Sequence, residues 1–348
     1  MTEKSVKQEN WTSPQVCSGG IKEEKAAEEK EKMKMINIQK AAIIGCGFVG
    51  ASSAFSLIHK GLFSELVLID ANHKKAEGEA MDLSHGRPFT RPAKIYAGNF
   101  DDIGDCSLII LTAGAGQKPG ETRLDLVHKN VSILKSIIPE ITKRNFEGIL
   151  MIVANPVDIL TYAALKISGY PKERVIGSGT VLDTARFRYL LSEHLQVDSR
   201  SVHAFIIGEH GDSELAVWSG ANISGIDINS FCELRGYYNH MESMEQIYRN
   251  VRDSAYEIIE RKGATYYGVA MAVSRITESI IRNERSVLPI SSFIDGPYGL
   301  TDICLSVPTI VGLKGAEKIL EIPLDASEKE KLEASAKELH RVLAELDL

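Results

Sequence analysis

Four apolar runs of strand length, "AAIIG" at 41–45, "ELVLID" at 65–70, "SLIILTA" at 107–113 and "ILMIVAN" at 149–155, constrain this chain more than any other feature. A half-exposed strand alternates apolar with polar side chains, whereas a strand covered on both faces reads as a continuous apolar run. These runs therefore predict a parallel sheet between two helical layers. The segments between them, such as 49–60 and 125–144, have apolar residues at helical spacing, which makes consecutive βαβ units. After about residue 178 the pattern turns mixed: "VHAFIIGEHGDS" reads as a strand into a turn, and 242–283 and 327–346 read as long helices. The last is expected to open on a capping box of Ser327 and Glu330, with Leu332, Leu339, Leu343 and Leu346 as a core or interface stripe.

Residues 1–38 obey a different rule. Lys22 to Lys34, "KEEKAAEEKEKMK", holds five Glu and five Lys and has almost nothing to bury, so a disordered charged extension or loose helix is expected. The expected division is this extension at 1–38, an α/β domain at 39–178 and an α+β domain at 179–348. A chain of 348 residues, 44% hydrophobic and 25% charged, suffices for two such cores. Its net charge of −7 gives no footprint for nucleic acid or an anionic membrane surface, so neither is an expected partner. Cys17, Cys46, Cys106, Cys232 and Cys304 lack metal or redox spacing, and their odd number argues against a disulfide framework. No metal site and a reducing, cytoplasmic compartment are expected. No apolar run reaches membrane-span length and no basic-then-apolar leader opens the chain, so export is not expected.

"GCGFVG" follows the first strand and opens a helix, the context that gives a G-x-G-x-x-G motif meaning as a Rossmann-type dinucleotide site. Gly45 allows the tight turn, Gly47 lets the backbone approach a pyrophosphate, and Gly50 lets helix pack on strand. Phe48 and Val49 begin the helix whose N-terminal N–H groups and partial positive charge favour the anion. Asp70, closing the second strand, suits the adenosine ribose diol and repels a 2′-phosphate, which favours NAD over NADP.

The acid-base candidates come next. "IIGEHGDS" sets His210 between glycines just past a strand, where its ring can face a cleft. Asp183, in "GSGTVLDTARFR", is a candidate carboxylate to fix the imidazole tautomer and raise its pKa, so that the pair can give and take a proton. Three residues on, Arg186 offers a planar fork for a substrate carboxylate, although spacing alone leaves a surface ion pair open.

From about Lys40 onward the chain resembles the lactate/malate dehydrogenase family, and within it the bacterial L-lactate-specific branch activated by fructose 1,6-bisphosphate. The motifs that carry the resemblance, in family order, are "GCGFVG", "VLID", "MDLSHG", "TAGAGQKPGETRLDL", "VANPVDILTY", "GSGTVLDTARFR", "IIGEHGDSE" and "KGATYYG". The resemblance implies reversible hydride transfer between NADH and pyruvate, giving L-lactate and NAD. His210 is then the proton donor and acceptor, with Asp183 as its orienting carboxylate. Arg186 holds the substrate carboxylate, Asn155 positions the carbonyl and the nicotinamide region, and Thr265 lines the substrate pocket. Residues 114–124 become a glycine-rich lid that excludes water, with Arg123 stabilising charge on the carbonyl oxygen. Gln117 stands where malate-acting members carry arginine, so a second carboxylate would be buried unpaired and pyruvate preferred over oxaloacetate.

The resemblance also implies a homotetramer in which Arg188 and His203 from two subunits clamp the bisphosphate, better when His203 is protonated. Two alternatives remain at this level. One is a malate or broader 2-hydroxy acid dehydrogenase. The other is a non-catalytic use of the fold, against which the intact set Arg123, Asn155, Asp183, Arg186 and His210 argues.

Overall fold

A computed structural model of the chain describes residues 37–116, 120, 122–236 and 241–346. Residues 1–36 of the expected extension, lid residues 117–119 and 121 with Gln117 among them, and the side chain of Arg123 lie outside the described residues. Strand β1 (Asn37–Ile44) begins inside the expected extension. It leads through α1 (Phe48–Lys60), β2 (Glu65–Ile69), α2 (His73–His85) and β3 (Lys94–Ala97) to β4 (Cys106–Leu111). Helix α3 (Arg123–Thr142), β5 (Ile149–Ile152), α4 (Val157–Ser168), β6 (Val175–Gly177) and α5 (Val181–Leu195) follow.

The six strands are parallel in the order β3-β2-β1-β4-β5-β6. The apolar runs behave as buried strands should. On one face Ala42, Ile44, Ile109 and Leu111 pack with α3 residues such as Val127 and Leu134 and with Ile159 of α4. On the other Ala41, Ile43, Leu108 and Ile110 pack with Leu57 of α1 and Ala76 of α2. The expected doubly wound α/β sheet is present. Its strand order reverses between β1 and β4, and in such sheets ligands bind in the crevice beyond the strand ends at that point.

Beyond α5 come five two-residue strands, β7 (Val202–His203), β8 (Ile206–Ile207), β9 (Leu215–Ala216), β10 (Asn222–Ile223) and β11 (Ile226–Asp227), paired as β11-β10-β7 and β8-β9. Helices α6 (Ile228–Leu234), α7 (Met241–Lys262) and α8 (Tyr267–Ile281) follow, then β12 (Ser286–Ile294), β13 (Ile303–Gly312), β14 (Gly315–Ile319) and α9 (Ala326–Leu343). Strand β12 joins β6 antiparallel through Ser291 and Gly177, and β13 and β14 extend the same sheet to nine strands.

Two expectations are corrected. The stretch 242–283 is two helices, because Gly263 takes φ +85° after α7 and only glycine does so without strain. Helix α9 is capped by Asp325 and Glu328 rather than Ser327 and Glu330: Asp325 accepts from the Glu328 N–H at 2.8 Å and Glu328 from the Asp325 N–H at 2.9 Å. Glu328 is also held from outside the helix, by the Ser219 N–H at 2.9 Å, which fixes the earlier start. The leucine stripe is core, with Leu332 and Leu339 buried and Leu343 and Leu346 packed against them.

Candidate active site

Two turns meet where the strand order reverses. After β1, Gly45 takes φ +103°, and a Cβ there would fall 2.5 Å from the Ala113 nitrogen just past β4. Gly50 packs so closely that a Cβ would lie 1.9 Å from the Gly45 carbonyl oxygen. Thr112, following β4, donates its hydroxyl to that same carbonyl at 2.6 Å. Asp70 is fixed at the edge of the turn, accepting from the Cys46 N–H at 2.7 Å and the Asn72 N–H at 2.8 Å.

The acid-base group is assembled from the strand ends beyond. Asp183 sits in the first turn of α5, buried, where the helix dipole favours a carboxylate. One oxygen meets the His210 Nδ1 at 2.6 Å and the other accepts from the Arg186 Nη1 at 2.8 Å. Burial opposes the Asp183 charge, but the His210 and Arg186 cations outweigh it and hold its pKa below the usual carboxylate range. Burial likewise opposes an imidazolium at His210, yet the attraction and hydrogen bond of Asp183 prevail and raise its pKa to about 9. With Nδ1 engaged, Nε2 is the nitrogen that Asp183 does not hold, on a ring that stays partly exposed.

The backbone of His210 is held too. Its N–H donates at 2.7 Å to Asp158, a buried residue in the first turn of α4, whose other oxygen accepts from the Ser306 hydroxyl at 3.2 Å. Asp158 lies in "VANPVDILTY" but drew no role from the sequence; an acidic residue in the first turn of an otherwise apolar, buried helix was the available signal. Asn130 of α3 is a second such residue. Its side chain donates to the carbonyls of Asn155 at 2.7 Å and Ala115 at 3.2 Å and accepts from the Ala115 N–H at 2.8 Å, tying the chain after β4 to the chain after β5.

Asn155, Asp183, Arg186 and His210 line one cleft of about 390 Å³, closed on other sides by Leu126 of α3 and by Arg252, Tyr256 and Ile259 of α7. Glu214, buried at the floor, was not anticipated either. Its carboxylate, that of Asp183 and the His210 imidazole bring ligand-type atoms within 4.8 Å of one another. Arg123 is the first residue of α3, three before Leu126. The expected lid thus ends in helix at 123–124, because Thr122 caps α3, its hydroxyl accepting from the Asp125 N–H at 3.1 Å.

Thr265 is half-buried between α7 and α8 and is not among the residues lining the cleft. Its neighbour Tyr266 stacks on Phe48, ring centroids 5.2 Å apart, which ties that segment to the glycine turn. Arg188 and His203 stand on α5 and on β7, the strand that follows it; Arg188 donates to the Ser199 carbonyl at 3.3 Å and His203 is exposed.

Residues 39–177 match the lactate/malate dehydrogenase NAD binding domain and residues 180–346 the lactate/malate dehydrogenase alpha/beta C-terminal domain. The chain belongs to the lactate/malate dehydrogenase family. An L-lactate dehydrogenase of Acetivibrio thermocellus is 55% identical over 311 residues, covering 89% of this chain and 98% of that protein. One from Geobacillus kaustophilus is 52% identical over 306 residues, 88% and 96% of the two chains. The crystal structure of the minor L-lactate dehydrogenase from Enterococcus mundtii in a ligands-bound form superposes with a TM-score of 0.87 at 44% identity, covering 89% of this chain and 99% of that one.

As a member of this dehydrogenase family the chain is an NAD-dependent oxidoreductase. Its glycine turn fits the cofactor. Among the described residues, and apart from its two chain neighbours, no atom lies within 4 Å of where a Gly47 Cβ would stand, so that face is open for a pyrophosphate to approach the backbone. No side chain caps α1, which leaves its first N–H groups for the same anion. Gly47→Ala should therefore leave the thermal midpoint within about 2 °C of wild type, since its φ of −72° suits any residue. Fluorescence titration should show NADH affinity falling about tenfold or more, as the methyl occupies the approach.

Proposed function

We propose that this enzyme is an L-lactate dehydrogenase, interconverting pyruvate and L-lactate. The observation that carries the reading is the chain Arg186–Asp183–His210, with contacts of 2.8 and 2.6 Å, opening into one cleft. NAD, when bound, supplies the hydride chemistry; the protein supplies the proton and the hold on the substrate. The guanidinium of Arg186 pairs with the 2-keto acid's carboxylate. His210 carries a proton up to about pH 9 and gives it from Nε2 to the carbonyl oxygen, while Asp183 balances the charge that comes and goes on the ring. In the reverse direction neutral His210 takes the hydroxyl proton, so lactate oxidation rises with pH where pyruvate reduction falls.

Asn155 orients the carbonyl beside the nicotinamide. Thr265 narrows the substrate pocket from the segment stacked on Phe48, and Arg123 stabilises the developing oxyanion from the start of α3. Asp70, Phe48 and Val49 complete the cofactor site. The work divides between a cofactor half at 39–178 and a substrate half at 179–348.

Gln117 makes pyruvate the preferred substrate. Arg188 and His203 receive fructose 1,6-bisphosphate across a subunit interface of a homotetramer. Helices α1 and α8, packed on each other, expose Phe55 and Met271, apolar surface that supports assembly. Cys46, Cys106, Cys232 and Cys304 are free and buried, which supports a reducing cytoplasm.

Steady-state kinetics on pyruvate and oxaloacetate, with and without the bisphosphate, test the set. Wild type should favour pyruvate, and Gln117→Arg should raise kcat/KM for oxaloacetate by about 10²-fold, the scale of pairing an otherwise unpaired buried carboxylate. No gain for oxaloacetate removes the role of Gln117. An unchanged pyruvate saturation curve with bisphosphate, at both acid and neutral pH, removes the effector site.

A further inference from the structure

Glu214 is a buried carboxyl in the cleft for which the reaction just described has no use. It is 5% exposed, and its Oε1 has no hydrogen-bond partner. Its backbone carbonyl accepts from the Tyr248 hydroxyl of α7 at 2.5 Å, which holds that helix against the turn. The charged groups that act on it are Asp183 and Arg186 of α5, His210 of its own turn and Arg252 of α7, and Asp212 lines the same cleft. Arg252 is drawn off by Asp253 at 2.9 Å, and both Asp183 oxygens are taken by His210 and Arg186. A bound cation would therefore find the cluster short of free ligands.

A buried carboxylate with an oxygen that accepts nothing, next to a second carboxylate, favours its neutral form. The charge balance of the cleft then depends on that proton. Asp183 and Arg186 offset one another and imidazolium His210 supplies the positive charge that an incoming carboxylate meets. Whatever the remaining groups contribute, ionising Glu214 makes the cleft one unit more negative and so opposes that carboxylate.

We propose that Glu214 is a positioning residue whose carboxyl must hold a proton for the cleft to accept the carboxylate of a 2-keto acid, making substrate capture depend on two protons rather than on that of His210 alone. It acts through the charge state of the pocket and touches no reacting atom. Burial, reinforced by Asp183 and partly offset by His210, raises its ionisation to about pH 8. Below this pH both protons are in place; as pH rises past it the Glu214 proton is lost, and the added negative charge repels the substrate.

The inference rests on pyruvate being the substrate, and the test separates the two. KM and kcat for pyruvate with saturating NADH are measured from about pH 6.5 to about pH 9.5 in wild type and Glu214→Gln. Proton uptake on binding oxamate, a non-reacting pyruvate mimic, is measured by calorimetry in buffers of different ionisation enthalpy near the upper pH. Wild-type KM should rise about a hundredfold over the range, against about tenfold for the variant, with kcat diverging less. Uptake should exceed one proton in wild type and stay at or below one in Glu214→Gln. If the variant does not fold, the wild-type count decides alone. Superposable KM profiles, or a wild-type uptake of one proton or less, overturn the proposal. No NADH consumption with pyruvate overturns the substrate reading and this inference with it.

Discussion

Asp183→Asn should lower kcat/KM for pyruvate by about 10³–10⁴-fold, the scale lost when the carboxylate partner of an acid-base histidine becomes an amide. The cause is specific to the contacts. An amide can meet the His210 Nδ1 at 2.6 Å with its NH₂ group, which selects the wrong tautomer, or with its oxygen, which no longer balances an imidazolium. Burial still disfavours the ring's charge while the largest opposing influence is gone, so the His210 ionisation should fall from about 9 toward or below neutrality. The residual rate of pyruvate reduction should then decline through neutral pH, where wild type is still flat. A rate profile with its upper limb unmoved would detach Asp183 from proton transfer, whatever the loss in rate.

Arg186→Gln should cost about 10²–10³-fold in kcat/KM, equivalent to about 3–4 kcal/mol for breaking a buried charge pair from one side. The loss has two parts. The substrate carboxylate loses its counter-ion, and Asp183 loses the donor at 2.8 Å that helps keep it ionised. KM for pyruvate should carry most of the effect. Arg186→Lys should recover little, because an ammonium cannot serve two carboxylates in one plane as the guanidinium does. Recovery to near wild-type KM would show that point charge, not the fork, does the holding.

The parallel half of the sheet was legible because strands covered on both faces read as continuous apolar runs, and 41–44 of β1, 66–69 of β2, 108–111 of β4 and 149–152 of β5 do. The antiparallel extension was not. Strand β12, "SVLPISSFI", carries Pro289 and several serines, which weaken a strand signature, and it is placed by pairing with β6 and β13 rather than by its own pattern. At the site, His210, Asp183 and Arg186 could be singled out because each chemistry needs that residue type, and the fold closes the sequence gaps between them. Glu214 escaped because a glutamate in a polar turn reads as solvated, and only the helix α7 laid over that turn makes it buried. Asp158 and Asn130 escaped for the complementary reason. They hold backbone atoms, so their partners could not be read from the sequence even where, as at Asp158, an acidic residue in an apolar helix marked the position.

The seam between β6 and β12 limits how this enzyme can move. At Gly177 a Cβ would sit 2.8 Å from that of Ser291, and two residues on, at Gly179, one would sit 2.5 Å from the Ser291 nitrogen. The Thr180 hydroxyl is shared between the carbonyls of Ile206 and Pro289, at 2.6 and 3.3 Å, immediately before the helix that carries Asp183. A jaw-like swing of one half of the chain against the other would tear this weld, so the catalytic geometry behaves as part of a single rigid beam. Substitutions on surface segments away from this seam should therefore leave the frame that carries Asp183 in place.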